Sequence, residues 1–176
     1  MKILLLAITL LVVSCGGGKP ENITPVEPFD VQRYLGTWYE IARLDHRFER
    51  GLSHVTAEYS LRDDGGIKVL NRGYSDKDGK WDTAEGKAYF ANRANTGHLK
   101  VSFWGPIYSS YVVFELDDIN YQYAVVSGSN KEYLWILARQ PTIEPAVLDE
   151  LIAKAKSLGF DTEKLIRVDH SEKTKR

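Results

Sequence analysis

A chain of 176 residues is long enough for one domain with its own hydrophobic core. Its 23 basic and 24 acidic side chains leave a formal net charge of -1, which excludes nucleic acid and other strongly charged partners. With one cysteine, Cys15, no intramolecular disulfide can form, so stability has to come from packing.

Residues 1–14 read "MKILLLAITLLVVS". Lys2 gives a short positive start, and Ile3 to Val13 form an apolar run too short to span a bilayer but of signal-peptide length. The run ends in Val12-Val13-Ser14, directly before Cys15, where signal-peptide cleavage falls. This order resembles the lipobox of bacterial lipoproteins. The resemblance implies that Cys15 is lipidated, becomes the new N-terminus and anchors the protein to a membrane. Gly16 follows it in place of an Asp, which by the same resemblance implies the cell outer membrane. Lipidation consumes the thiol and so excludes thiol chemistry. Residues 15–28 then read as the lipidated N-terminus and a Gly/Pro-rich flexible tether. Stretched out, residues 16–28 would reach about 40 Å.

One turn of helix or a tight turn is expected over 29–35, followed by eight strands at about 37–44, 53–62, 67–75, 81–91, 98–104, 109–116, 121–127 and 133–139. The clearest alternation sets Val55, Ala57, Tyr59 and Leu61 against His54, Thr56, Glu58 and Ser60. "RDDGG", "DKDGK", "NRANTG" and "GSNKE" are turn sequences between strands. Connections this short force antiparallel neighbours. An open sheet of eight would expose two edges, and closure into an up-and-down barrel removes them.

One helix is expected in "EPAVLDELIAKAKSLGF", with Val147, Leu148, Leu151, Ile152, Ala155 and Leu158 on one face, Pro145 at its start and Gly159 at its stop. It should lie outside the barrel. A short strand at 164–168 pairs with an edge, and the tail 171–176 frays. The fold class is therefore all-β with one flanking helix: an eight-stranded antiparallel barrel over residues 29–170 with a C-terminal helix packed outside.

Eight meandering strands, one late helix and Gly36-Thr37-Trp38 at the start of the first strand resemble the lipocalin family. The segments "RYLGTWYEIARLDHRFERGL", "YSLRDDGG", "EGKAYF", "KVSFWGP" and "YLWILAR" are similar to its bacterial outer-membrane lipoproteins. Of the three short motifs of the family, Gly36-Thr37-Trp38 matches the first and Arg139 the third. The second is lost to Asp118-Ile119-Asn120, with Tyr123 retained, which argues against receptor docking of the kind seen in animal relatives. The resemblance implies storage or movement of membrane lipids and a capacity to form a homodimer.

In an eight-strand meander, the first strand's start and the last strand's end share one end of the barrel. Trp38 and Arg139 are then neighbours, a guanidinium stacked on an indole that closes that end. The connection "DHRFERGL" lies at the open mouth, where His46, Arg47 and Arg50 would suit an anionic head group on an acyl chain: a fatty acid or a lysophospholipid. Alternation gives Val55, Ala57, Tyr59, Val101, Phe103, Trp135 and Leu137 as the pocket lining. Glu40 shares a face with Trp38, and is either a buried acid with a partner such as an Arg or a polar anchor in the pocket. His46, His54, His98 and His170 have no metal-ligand spacing, and neither catalytic residues nor a cofactor are expected. The competing expectation is a structural or interaction lipoprotein whose barrel is filled by its own side chains.

Overall fold

The computed structural model of the protein describes residues 18–171, so the expected signal peptide, Cys15 and the chain beyond Ser171 lie outside the described residues. A short helix α1 (Val31–Tyr34), capped by the Asp30 carboxylate on the Gln32 N–H, leads into β1 (Gly36–Leu44). Seven strands follow: β2 (Leu52–Leu61), β3 (Ile67–Ser75), β4 (Lys80–Phe90), β5 (His98–Trp104), β6 (Ile107–Leu116), β7 (Tyr123–Ser127) and β8 (Leu134–Ala138). Each pairs antiparallel with the next, and β1 pairs with both β2 and β8, which closes the barrel. Helix α2 (Pro145–Ser157) and the short strand β9 (Leu165–Arg167) complete the chain.

The two faces of the sheet bury different things. Inside the barrel, Trp38, Tyr59, Val69, Leu99, Val113 and Leu137 form one core. Outside, Ala42, Val112, Val125 and Ile136 lie under Leu148, Leu151 and Ala155 of α2. The helix thus covers the strands β6, β7, β8 and β1, whose outward residues are apolar for that reason. Pro145 sits in its first turn, while Glu144 makes no side-chain cap.

The segment expected as a free tether is docked from its middle onward. Ile23 is fully buried in the outer core. Val26 exchanges backbone hydrogen bonds with Val113 and Gly97, and the Phe29 N–H bonds to the Asn95 carbonyl. Apolar residues at Ile23, Val26 and Phe29, spaced by three within a Pro-rich stretch, are what the compositional reading passed over.

One irregularity in β1 shapes the interior. Glu40 faces Leu137 and Ala42 faces Ile136, so Ile41 is one residue too many against β8. Such a bulge reverses the alternation beyond it. Trp38 and Glu40 point inward before it. Arg43, opposite Trp135, points inward after it, while Ile41, Ala42 and Leu44 join the outer core. A second irregularity lies between Ser53 and Thr56 of β2, where His54 adopts φ 55°.

Between these two irregularities β1 and β2 part company. Their ladder ends at Tyr39 and Thr56, and β9 takes over against Ala42, Arg43 and Leu44. The tail behind β9 satisfies the groups that the irregularities free. The Val168 N–H donates to the Ile41 carbonyl (3.0 Å), His170 Nε2 donates to the Glu40 carbonyl (2.8 Å), and the His54 N–H donates to the Asp169 carbonyl (2.8 Å). A chain ended after Lys164 is expected to lose about 2–4 kcal/mol, from these bonds and the β9 ladder at roughly 0.5 kcal/mol each. Urea unfolding measures this, and an unchanged midpoint would show that the seam needs no tail.

Candidate functional site

The barrel has one closed end, and the chain closes it at its first inward ring. Gly36 takes φ 91°, a left-handed conformation that costs glycine least, and turns the chain beneath the barrel. Trp38 is fully buried, with its Nε1–H on the Tyr34 carbonyl at 2.8 Å. The Arg139 guanidinium lies 3.9 Å from the centre of the Trp38 ring system. Its nitrogens donate to the carbonyls of Arg33 (2.6 Å), Thr37 (3.0 Å) and Tyr121 (3.3 Å). Arg139 therefore ties α1, β1 and the β6–β7 connection to β8.

Beside Trp38 lies a chain of phenols. The Tyr111 hydroxyl bonds to those of Tyr34 (2.7 Å) and Tyr59 (2.8 Å). Burial pushes all three above the ordinary tyrosine range, so the chain stays protonated and uncharged. Tyr34 and Tyr111 were not among the residues expected to line the interior. Tyr111 sits directly opposite Leu99, and the inward face of β5 could have located it.

Ala57, Tyr59, Val101, Phe103, Trp135 and Leu137 all belong to or pack against the inner core, and Val55 is buried two residues from Ala57 on the same face. Apart from Tyr59, itself one of the phenols, they form an apolar wall that reaches Trp135 towards the mouth. Outside the wall, a groove of about 300 Å³ runs between Tyr39, His54, Trp81 and His170 and contains none of these residues.

The upper interior is polar and charged. Glu40, only 3% exposed, accepts from Arg43 Nη1 at 2.8 Å, and Arg43 is 2% exposed. Arg43 Nη2 donates to the carbonyls of Glu49 (2.8 Å) and Leu52 (3.3 Å). The connection between β1 and β2 thus folds inward over the mouth. Its Glu49 carboxylate accepts from Trp135 Nε1 (3.1 Å) and lies 3.1 Å from His46 Nε2. His46 is buried against the rings of Trp135 and Tyr133. Burial, with the Glu49 charge behind it, raises the Glu40 carboxyl well above the ordinary range. Glu49 is held below that range by His46, Trp135 and Arg43, against the penalty of its burial. Two buried carboxylates close to one guanidinium disfavour double ionisation, and Glu40 is the one that holds its proton more tightly.

Arg47 and Arg50, expected at the mouth, are exposed. Arg47 lies 4.9 Å from the centre of the Phe48 ring, and Arg50 pairs with Asp45 at 2.9 Å. The guanidinium inside the barrel comes from Arg43, which strict alternation sends outward and the Ile41 bulge turns in. The apolar pair Ile41-Ala42, breaking an alternating run, is its trace in the sequence. Among the described residues no group of three or more His, Cys, Asp or Glu side chains could hold a metal ion.

A family model described as a lipocalin-like domain matches residues 29–170. The chain is 60% identical over 166 residues to a protein named outer membrane lipoprotein Blc of Vibrio cholerae, covering 94% of this chain and 96% of that one. It is 54% identical over 159 residues to the protein of that name in Escherichia coli K12, covering 90% and 89%. Mouse apolipoprotein D is 33% identical over 161 residues, covering 88% and 84%. Among solved structures, insecticyanin of the tobacco hornworm superposes with a TM-score of 0.71 at 25% identity over 88% of each chain.

The buried Glu40 makes stability depend on pH. Its folded pKa is raised, so its contribution is full below the ordinary carboxylate range and is lost as pH rises towards the folded value. Glu40→Gln keeps the shape of the protonated form and cannot lose a proton. The variant is expected to match the parent near pH 4 and to exceed it by about 1 kcal/mol or more at pH 8. Urea midpoints across that interval provide the check, and a difference independent of pH would place the proton elsewhere.

Proposed function

The chain belongs to the lipocalin family, and on that premise we propose that it is a membrane-anchored carrier of small apolar ligands, fatty acids or lysophospholipids, for storage or transport of lipids in the cell envelope. The observation that carries this reading is the order of surfaces inside the barrel. An apolar wall from Ala57 to Leu137 lies between an uncharged phenol floor and a buried cluster of Arg43, His46 and Trp135 near the mouth. That order suits an amphiphile with its chain against the wall and its head at the cluster. Each methylene removed from water contributes about 0.8 kcal/mol, which brings a long chain to roughly micromolar affinity after the costs of ordering.

Relatives named outer membrane lipoproteins support the reading of Cys15 as a lipidated anchor and of the outer membrane as its address. A second reading, an interaction lipoprotein with a filled barrel, has its own support: the phenol chain, Glu49 and His46 all occupy interior space.

Two experiments test the proposal. Native mass spectrometry of the protein purified from membranes, followed by lipid extraction, is expected to find a co-purifying acyl lipid. A fluorescent fatty acid is expected to bind and to be displaced by lysophospholipid. Neither lipid nor displacement would leave the filled-barrel reading. The anchor is tested separately: Cys15→Ser should move the protein out of the membrane fraction, and a variant that stays bound would sink the lipidation reading.

A further inference from the structure

The polar cluster near the mouth is a ready-made anion site, and the chain fills it with its own side chain. The Glu49 carboxylate sits where Trp135 Nε1 donates at 3.1 Å and His46 Nε2 lies at 3.1 Å, with the Arg43 guanidinium bonded to the Glu49 carbonyl beside it. Glu49 belongs to an exposed connection. Its side chain is 14% exposed, against 6% for His46 and 2% for Arg43, so it reaches solvent while those two do not. The site also holds more donors than Glu49 uses. Among the described residues, Arg43 Nε and both ring nitrogens of His46 are buried without a hydrogen-bond partner. Surplus buried donors around one carboxylate fit an anion that presents more oxygens, or presents them closer, than Glu49 can.

We propose that Glu49 is an internal stand-in for the head group of the ligand, and that the barrel selects amphiphiles with a single negative charge by exchanging that head group for the Glu49 carboxylate. This rests on the ligand-carrier reading above. In the exchange the Glu49 side chain swings out to water about its own bonds. The head group takes the Trp135, His46 and Arg43 donors, and the acyl chain follows the wall down towards Tyr59.

Charge selects the class of ligand. Glu49 brings one negative charge to the buried cluster. One carboxylate or one phosphodiester in its place leaves the charge of the cluster unchanged. A dianionic phosphate monoester adds an uncompensated buried charge, which is costly. A neutral alcohol or ester has no charge to offer the donors, and so leaves Glu49 where it is. Fatty acid carboxylates and lysophospholipid phosphodiesters share the monoanionic chemistry that fits.

The experiment compares two probes on the full protein: a fluorescent fatty acid and its methyl ester. The indole N–H resonance of Trp135 reports whether Glu49 has left. In the parent protein the acid is expected to shift that resonance and the ester to leave it in place. Glu49→Ala removes the competitor, and is expected to bind the acid about tenfold more tightly with the ester unchanged. Lysophosphatidylglycerol, whose phosphodiester is its one charge, in competition with the acid separates the two head groups: displacement extends the site to phosphodiesters, and its failure would overturn that half of the proposal. If both probes bind and Glu49→Ala leaves the acid-to-ester ratio unchanged, the stand-in role is wrong while the carrier reading stands. If neither probe binds parent or variant, the carrier reading fails and this inference falls with it.

Discussion

One extra residue in β1 decides most of what is particular to this barrel. The bulge at Ile41 turns Arg43 inward, where period-two alternation would have sent it out. It also releases the carbonyls of Glu40 and Ile41 from the strand ladder, and these become the points at which the C-terminal tail fastens. A single backbone irregularity therefore sets both the charge inside the barrel and the dependence of its seam on residues more than 120 positions away. The Glu40–Arg43 pair follows from the bulge, because residues three apart on a regular strand face opposite sides.

The closed end follows a different logic. It is held by one cation that meets three backbone carbonyls and one indole, contributed by three separate parts of the chain. A lysine has the charge but lacks the planar fork that spreads across these acceptors. The phenols beside it give the floor hydrogen bonds without charge, so an apolar wall can begin immediately over it. Polar groups stand at both ends of the interior, uncharged below and charged above.

The sequence made some of this legible and hid the rest for physical reasons. Alternation and short turns located the strands because one face of each is buried, and closure followed from the need to remove two edges. Trp38 and Arg139 could be paired from strand parity, since parity survives small errors in strand ends. Arg43 could not be placed in the same way, because a bulge changes parity and only the Ile41-Ala42 doublet marks it. Of the three residues expected at the mouth, His46 turns inward and Arg47 and Arg50 face solvent. Arg47 and Arg50 look like the basic rim, yet side chains on a connection turn with its backbone, and here the inward positions went to His46 and Glu49. By sequence alone Glu40 is either a paired acid or a pocket anchor. The structure gives it Arg43 as a partner at 2.8 Å.

The docking of the N-terminal segment has a mechanical consequence. Its composition suggested a leash that would let the domain sample every orientation above a membrane. With Ile23 buried and Val26 and Phe29 bonded to the barrel, the slack shrinks to the residues before the buried Pro20. From Cys15 to Pro20 the chain can span only about 17 Å. An acyl anchor at Cys15 would therefore act less as a leash than as a short hinge. It would hold the β5–β6 side of the barrel, where the segment is fastened through Gly97 and Val113, next to the lipid head groups. The arc through which the mouth can swing is then narrow, and the distance a lipid must cross to enter is on the scale of the barrel itself.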